Sequence, residues 1–493
     1  MESNSQSAHN DRRTKRQWLD IHETDYNKSM SSRQIQMIAI GGSIGTGLFL
    51  GTGGRLEIAG PALALVYLVC GVFSFFILRA LGELILYRPT SGSFVSYAHE
   101  FLGEKASYIV GWMYFINWVM TGIVDITAVA LYMHYWSAFS EVPRWLFALL
   151  ALVIIAVMNI IGVKWFAEIE FWFSLIKVAA ISIFLIIGVI CLGTGKLVEG
   201  HTTGLHLIIE NGGLFPHGVL PAIVLIQGVI FAFAGIELLG TAAGECQEPA
   251  KIMPKAINNI ILRISIFYIG SILLLVLLLP WNAYHANQSP FVTFLSKLEV
   301  PYIDTTMNIV VLTAALSSLN SGLYSTSRIL RALSISGSAP KFLANMSSHK
   351  VPYNSILMTC SIHMIGVLLN YLIPSKVFEI VLNIASLSII SSWIFIIICQ
   401  MCLRKAIRAG HVKPVSFKMP CAPFTSWLTL AFLLMVIIMM TFDYPNGTYT
   451  IIAIPLLAII LILGWFSLRK RMEQVQQEYR DFKKLVSHET SNQ

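Results

Sequence analysis

Residues 38–54, IAIGGSIGTGLFLGTGG, are apolar enough to cross a bilayer, yet seven of them are glycine. A glycine inside a helix costs about 0.5–1 kcal/mol relative to alanine, so this segment does not favour one unbroken helix. Inside a membrane, unwound backbone is tolerated only where protein or a water-filled cavity surrounds it. Transporters use such broken helices to build binding sites near the membrane centre. The segment therefore predicts a discontinuous membrane helix.

The composition indicates an integral membrane protein. Of the 493 residues, 56% are hydrophobic and 12% are charged, and the mean hydropathy is +0.70. Soluble domains carry about 25% charged residues, and about 20 apolar residues are enough to span a bilayer. We therefore expect an all-α membrane domain in contact with the lipid bilayer.

The apolar runs predict twelve membrane helices, which leave both termini on one side. The predicted spans are residues 34–54, 61–81, 106–136, 144–162, 169–193, 219–240, 258–280, 303–325, 353–373, 377–401, 423–442 and 448–467. Only five of the 34 Lys and Arg residues then lie opposite the termini: Arg55, Arg144, Lys196, Lys297 and Lys376. Because positive charge collects in cytoplasmic loops, we expect both termini in the cytoplasm. The net charge of +8 is thus a topology signal and does not indicate nucleic acid.

A second interrupted helix lies in the sixth predicted span, where residues 231–237 read FAFAGIE. Spans one and six occupy matching positions if spans 1–5 and 6–10 are related halves, a pattern typical of inverted-repeat transporters. The transmembrane domain would cover residues 34–467. Its predicted parts and the flanking tails are a cytoplasmic tail at 1–33, repeats at about 34–193 and 219–401, peripheral helices at 423–467 and a cytoplasmic tail at 468–493.

Other kinds of chemistry are weakly indicated. There is no G-x-x-x-x-G-K-[ST] loop, so we expect no nucleotide. His201, His206 and His217 share one predicted external loop, where solvated histidines explain the spacing better than a metal site, and we expect no cofactor. Residues 41–45 spell G-x-S-x-G, with His363 as a possible base. That hydrolase motif requires a strand-to-helix turn, so we do not expect an enzyme.

Several motifs together resemble one family. They are RQIQMI at 33–38 before GSIGTG at 42–47, AGP at 59–61, GE at 82–83, PTSGSF at 89–94, GECQEP at 244–249, PKAI at 254–257 and ALSSLNSG at 315–322. In combination they are similar to the amino acid–polyamine–organocation superfamily and, within it, the bacterial amino acid transporter family. The resemblance implies the leucine-transporter-type fold, a 5+5 inverted repeat with discontinuous helices 1 and 6, in the bacterial inner (plasma) membrane.

The likeness is strongest to a subgroup that transports L-asparagine. It rests on GWMYFINW at 111–118, DITAVALYMHYW at 125–136 and FDYPNGTYT at 442–450. Many relatives have Glu in place of Asp125, and relatives often have His in place of Gln400. The resemblance implies a proton-coupled secondary importer of a small neutral amino acid, with L-asparagine favoured. An exchanger, an importer of glycine, serine or alanine (L or D), and a sensor remain open alternatives.

A broken helix can bind a zwitterionic amino acid through its backbone. Free N–H groups at the start of a half-helix suit the carboxylate, and the helix dipole adds to their attraction. The resemblance implies that the substrate-binding residues are Ser43, Gly45, Thr46, Gly47, Phe231, Ala232, Ala234 and Gly235. Thr46 and Gly47 would bind the carboxylate. The carbonyls of Ser43, Phe231 and Ala234 would bind the ammonium. The alternative is that the glycines only permit close helix packing.

Lys177 lies near the middle of the fifth predicted span. A charge at the centre of a membrane helix costs about 2.5–3.5 kcal/mol on insertion scales, so it usually marks function. A buried lysine can gain and lose its proton. In related proton-coupled transporters a lysine at this place occupies the site where sodium sits in sodium-coupled relatives. The resemblance thus implies that Lys177 couples transport to protons, with Ser317 and Ser318 nearby. The alternative is a static lysine that holds helices together.

Other polar residues in the predicted spans have less certain roles. Asp125, in the third span, could set side-chain specificity, relay protons or be purely structural. Gln227 and Asn117 could contact a substrate amide, or could bond neighbouring helices, as could Asn320. Glu237 follows the second helix break, and we expect a gating or proton-coupling role for it.

Phe231 is the aromatic residue at the second break. We expect it to close over the bound substrate as a gate. The alternative is an ordinary core aromatic residue.

Overall fold

The computed structural model describes residues 30–42, 44–286, 288–372, 377–443 and 446–491. Within these ranges the chain is almost entirely helical. The helices and strands are α1 (Ser32–Gly41), α2 (Thr46–Phe49), α3 (Gly51–Ala59), α4 (Leu63–Tyr87), α5 (Ser93–Phe101), α6 (Glu104–Met133), α7 (Arg144–Ile161), α8 (Val163–Thr194), β1 (Leu197–Val198), β2 (His201–Thr202), α9 (His206–Glu210), α10 (Val219–Val224), α11 (Ile226–Phe233), α12 (Leu238–Ala242), α13 (Pro249–Ile264), α14 (Ser271–Leu278), α15 (Pro290–Ser296), α16 (Ile303–Ile335), α17 (Tyr353–Leu372), α18 (Val377–Arg408), α19 (Phe424–Met439) and α20 (Asn446–Ser491).

Eleven helical stretches among the described residues are long and apolar enough to cross a membrane. The predicted first span is not one of them, because it is divided among the short helices α1, α2 and α3. The last of these continues through a 3₁₀ turn into α4, so that one stretch runs over Gly51–Tyr87. The fold is therefore an all-α membrane architecture, and the count of twelve spans with a 5+5 repeat stays a prediction.

The sequence placed Arg55 in a loop between two spans, and that prediction is wrong. Arg55 lies inside α3, is buried, and donates a hydrogen bond of 3.2 Å from Nη1 to the carbonyl of Gly47. A helix interrupted near its middle leaves carbonyl groups without their usual partners. The guanidinium supplies one of these carbonyls with a donor, which accounts for a buried cation just after the break.

The helices divide into a buried centre and a lipid-facing periphery. The α6 helix packs against α16 and α18, and α8 packs against α1 and α16. In the most apolar window of α6, 83% of the residues are buried, whereas in the α20 stretch only 6% are buried. Side chains such as Leu463 and Phe466 on α20 are largely exposed and apolar, as expected for a surface in contact with lipid tails.

Two short structures lie between the long helices. Strands β1 and β2 form a small antiparallel hairpin, which the all-α prediction did not include. The short α15 helix lies between α14 and α16. Its Phe291 is fully buried and meets Phe49 of α2 edge to face, with ring centroids 5.2 Å apart. The α15 helix therefore covers the end of the broken first span.

Candidate functional site at the two helix breaks

The first break separates α1 from α2. Ser43, one of the predicted ligands, lies outside the described residues. Gly45 is extended, with φ −132° and ψ −158°, and α2 begins at Thr46. The N–H groups of Leu48 and Phe49 donate to the Gly45 carbonyl at 3.2 and 3.3 Å. Thr46 and Gly47, at the start of the helix, have no acceptor one turn earlier within it, so the helix itself does not pair their N–H groups.

The second break separates α11 from α12. Ala234 is extended and Gly235 has φ +101°, a conformation that a residue with a Cβ rarely adopts. The carbonyl of Phe231 accepts the N–H of Ala234 at 3.1 Å, and the carbonyl of Ala232 accepts the Tyr268 hydroxyl at 2.9 Å. Glycine at position 235 thus permits the sharp change of direction that ends the helix.

The two breaks lie against each other. A Cβ added to Gly47 would come 2.7 Å from Ala232 Cα and 3.1 Å from Phe231 Cδ1. A Cβ added to Gly42 would come 2.6 Å from Leu238 Cδ1. Only glycine allows these approaches, so the close-packing alternative describes part of what the glycines do. The described substrate-binding residues of the prediction all lie on these two adjoining breaks.

Asp125 of α6 reaches the first break. The Thr46 hydroxyl donates to Asp125 Oδ1 at 2.8 Å, and the Ser318 hydroxyl of α16 lies near the carboxyl group. Gly45 lies beside Ser318, since an added Cβ would be 3.5 Å from the serine Oγ. Asp125 is fully buried, and its Oδ2 has no hydrogen-bond partner among the described residues. Among the described residues, only one oxygen of this carboxyl group is therefore engaged.

Lys177 of α8 is fully buried, and its partner on α16 is Ser317, the residue before Ser318. Its Nζ donates to Ser317 Oγ at 2.8 Å, and Ser317 Oγ in turn donates to Glu170 Oε1 at 2.6 Å. We call Lys177, Ser317 and Glu170 the lysine cluster. The structure thus brings Lys177 together with Ser317, as the sequence predicted. It joins them to a carboxylate that the sequence reasoning did not identify.

Glu170 continues the network away from the break. It accepts hydrogen bonds from Ser174 Oγ at 3.3 Å and from Asn320 Nδ2 at 3.4 Å, and the Asn320 Oδ1 accepts Asn159 Nδ2 at 2.7 Å. Asn320 is therefore engaged with helix neighbours, the alternative that the sequence left open for it. A signal for Glu170 was available, because residues seven apart lie on one face of a helix.

Glu237 folds back onto the second break. Its two carboxylate oxygens accept the N–H of Gly235 at 3.2 and 3.1 Å, and Oε2 also accepts Trp393 Nε1 at 3.4 Å. The side chain is fully buried. It thus supplies an acceptor for a backbone donor that the break has released.

The two amides proposed for specificity differ in position. Gln227 donates from Nε2 to the Asp443 carboxylate. Burial raises the pKa of the Asp443 carboxyl above its usual range, and the hydrogen bond from Gln227 opposes that shift. Asn117 lies eight residues before Asp125, about 12 Å along the helix axis. Both of its amide atoms are buried without a hydrogen-bond partner among the described residues. Among the described residues, neither amide makes a hydrogen bond to Thr46.

A second buried charge cluster lies further along α16. Arg328 Nε lies 2.8 Å from Glu245 Oε1, and the Tyr324 hydroxyl donates to the same oxygen at 3.0 Å. The Tyr324 ring stacks on Phe166 of α8 with centroids 4.1 Å apart, and the Glu245 carbonyl accepts the N–H of Met30 at 3.2 Å. We call Glu245, Tyr324 and Arg328 the arginine clamp, since they join four separate segments.

The chain is similar in sequence to known permeases. A sequence model of the family described as "Amino acid permease" matches residues 34–477. The chain belongs to this family. It is 70% identical to an L-asparagine permease of Salmonella typhimurium over 94% of this chain and 93% of the relative. It is 69% identical to an L-asparagine permease of Escherichia coli (94% and 92%) and 54% identical to one of Streptomyces coelicolor (93% and 94%).

Family membership confirms the resemblance drawn from the sequence motifs. The protein is a multi-pass membrane transporter of the permease type and not an enzyme, so the hydrolase interpretation of residues 41–45 is set aside. In the described structure His363, the possible base of that interpretation, packs on α6 beside Gly122. A small amino acid is the class of substrate that this family carries across the membrane.

Proposed function

We propose that this protein imports L-asparagine together with a proton. The observation that carries the proposal is the position of Lys177, which is fully buried and bonded to Ser317, next in sequence to the Ser318 that borders Gly45 and Asp125. A protonatable cation beside a broken helix supplies what a proton-coupled transporter needs. The three relatives named L-asparagine permease support the choice of substrate.

Substrate recognition in this proposal uses both breaks. The N–H groups of Thr46 and Gly47 bind the amino acid carboxylate, aided by the positive end of the helix dipole. Carbonyl groups at Ser43, Phe231 and Ala234 bind the ammonium. The Phe231 ring, which lies against Gly47, closes over the bound molecule as a gate.

The amide side chain of asparagine needs its own partner. We assign Asp125 Oδ2, which is buried without a partner among the described residues, as the acceptor of the carboxamide N–H. A buried acceptor rejects a substrate that lacks the matching donor, because desolvation of the acceptor is then uncompensated. Asparagine would thus be preferred over alanine. Glu237 has a gating role, since it bonds the backbone that must move when α12 moves.

The topology proposed from the sequence completes this account. Twelve spans, with helices 1–5 and 6–10 as inverted repeats, would place the two breaks near the membrane midplane. The distribution of Lys and Arg supports cytoplasmic termini in a bacterial inner membrane. Asparagine would then load from outside and leave on the side of the arginine clamp.

Uptake into proteoliposomes tests the proposal. Labelled L-asparagine is offered under an imposed inward proton gradient, with unlabelled amino acids as competitors and Lys177→Ala as the matched variant. We expect accumulation that a protonophore abolishes, that asparagine competes away far better than glycine, serine or alanine, and that the variant lacks. Rapid exchange with internally loaded amino acid but no accumulation would instead identify an exchanger.

A further inference from the structure

Glu170 is a buried carboxylate whose neighbours are almost all neutral. It is 0% exposed, and its hydrogen-bond partners are Ser174, Ser317 and Asn320. Lys177 is the one charged group that faces it among the described residues. The α1 helix also packs on α8, but its Arg33 pairs with Glu168 at 3.1 Å, at the surface.

The contacts between Lys177 and Glu170 form an unbroken donor chain. Lys177 Nζ donates to Ser317 Oγ at 2.8 Å, and Ser317 Oγ donates to Glu170 Oε1 at 2.6 Å. A hydroxyl can accept one hydrogen bond while it donates another, so it can pass a proton from one neighbour to the next. A serine in this position therefore connects an acid and a base that do not touch.

The hydrogen-bonded link from Lys177 to Glu170 runs toward the N-terminal end of α8. Glu170 lies seven residues before Lys177, about 10 Å nearer the N-terminal end of the helix. That end carries Phe166, which stacks on Tyr324 of the arginine clamp. Lys177, in contrast, is electrostatically coupled to Asp125 at the first helix break. The path thus leads from the substrate site toward the side where the clamp lies.

We propose that Glu170 accepts the coupling proton from Lys177 through Ser317 and holds it before release. In the transfer the Ser317 hydroxyl proton moves to Glu170 Oε1, and one Nζ proton of Lys177 moves to Ser317 Oγ. A charged ammonium and carboxylate become a neutral amine and carboxylic acid, so no net charge moves into the apolar interior. This inference rests on the proposed proton coupling and extends it by naming the second carrier.

Glu170→Gln tests the proposal, because the amide keeps hydrogen bonds but cannot hold the proton. Glu168→Gln is the matched control, since Glu168 lies on the same helix with a side chain that is 38% exposed. Glu170→Asp keeps the carboxyl group and reports on folding. For the wild type and each variant, two rates are measured in proteoliposomes: proton-driven accumulation, and exchange of labelled for unlabelled asparagine without a gradient, each over a range of pH.

We expect Glu170→Gln to lose accumulation by about tenfold or more, since coupling is a free energy shared by two binding events. Exchange should stay within about twofold of wild type, because it needs no net proton transfer. Glu170→Asp should regain part of the accumulation, and Glu168→Gln should match the wild type. Infrared difference spectra on lowering the pH should show the carboxylic acid band in wild type and not in Glu170→Gln.

Two results would overturn the inference while leaving proton-coupled import intact. One is a Glu170→Gln variant that accumulates asparagine with the wild-type pH profile. The other is equal loss of accumulation and exchange in Glu170→Gln with no recovery in Glu170→Asp, which would identify a purely structural glutamate. If the wild type itself fails to accumulate asparagine, the proposed function fails, and the proton path fails with it.

Discussion

Two buried charge clusters lie along α16, and they differ in how the cation meets its carboxylate. In the arginine clamp, Arg328 and Glu245 form a direct ion pair. In the lysine cluster, Ser317 lies between Lys177 and Glu170. An arginine keeps its proton in proteins, whereas a buried lysine can lose it. The ion pair of the clamp can therefore only form or break, while Lys177 in the lysine cluster can also lose its charge.

This difference matches the positions of the two clusters. The clamp joins α16, α8, the segment after α12 and the residue Met30, so its opening would release several elements together. The lysine cluster adjoins the first helix break, where a change in the charge of Lys177 would alter the electrostatic potential at the proposed substrate site. We infer that one cluster holds a conformation and the other responds to protons.

Breaking the clamp should have the largest effect on stability. Arg328→Met removes one partner of a buried pair and leaves the Glu245 carboxylate without its cation, at a cost of about 3–5 kcal/mol. Thermal unfolding of the detergent-solubilised protein measures this cost. In the double variant Glu245→Gln with Arg328→Met, part of the stability should return. An unchanged melting temperature in Arg328→Met would contradict the clamp.

Separating the two breaks should disturb transport without touching either cluster. In Gly47→Ala the new Cβ meets Ala232 Cα at 2.7 Å, and overpacking of this kind costs about 1–3 kcal/mol. We expect loss of asparagine binding and uptake. Gly193→Ala is the control, because an added Cβ there meets nothing within 4 Å. Equal uptake by the two variants would show that the breaks do not need their close approach.

Lys177→Met should cost little stability and abolish coupling. The change removes the hydrogen bond from the charged Nζ to Ser317 but also the cost of burying that charge, so we expect a loss of at most about 1.5 kcal/mol. Glu170 can then take up a proton and become neutral. Asparagine should equilibrate in proteoliposomes without accumulating. If Lys177→Met were destabilised as much as Arg328→Met, the two clusters would contribute equally to stability.

The smallest effect is expected from Ser317→Ala, which interrupts the link between Lys177 and Glu170. Removing the hydroxyl should cost about 1 kcal/mol, the net value of a typical hydrogen bond. Accumulation should fall further than exchange, since the two charged groups stay but lose their connection. Ser174→Ala is the control, because Ser174 donates to the same Glu170 oxygen but is not part of the link through Ser317. Equal effects of the two variants would argue against a path through Ser317.

The sequence predicted the two helix breaks because their glycines contradict an otherwise apolar helix. The family resemblance also placed Ser317 near Lys177, and the two are hydrogen-bonded. Glu170 was missed because the fifth span was taken to begin at residue 169, which placed this residue at the membrane surface, whereas α8 begins at Val163. Arg55 was missed for a related reason, since the loop expected around it is helix. Helix ends depend on tertiary packing that a local pattern does not contain.

The measurement that tests the central claim most directly follows asparagine and protons together. Proteoliposomes carry a pH-sensitive dye inside, and labelled L-asparagine is added outside at equal internal and external pH. We predict that asparagine entry acidifies the lumen in the wild type, and that Lys177→Met admits asparagine without acidification. Entry of asparagine into wild-type vesicles with no change in luminal pH would contradict proton coupling through Lys177.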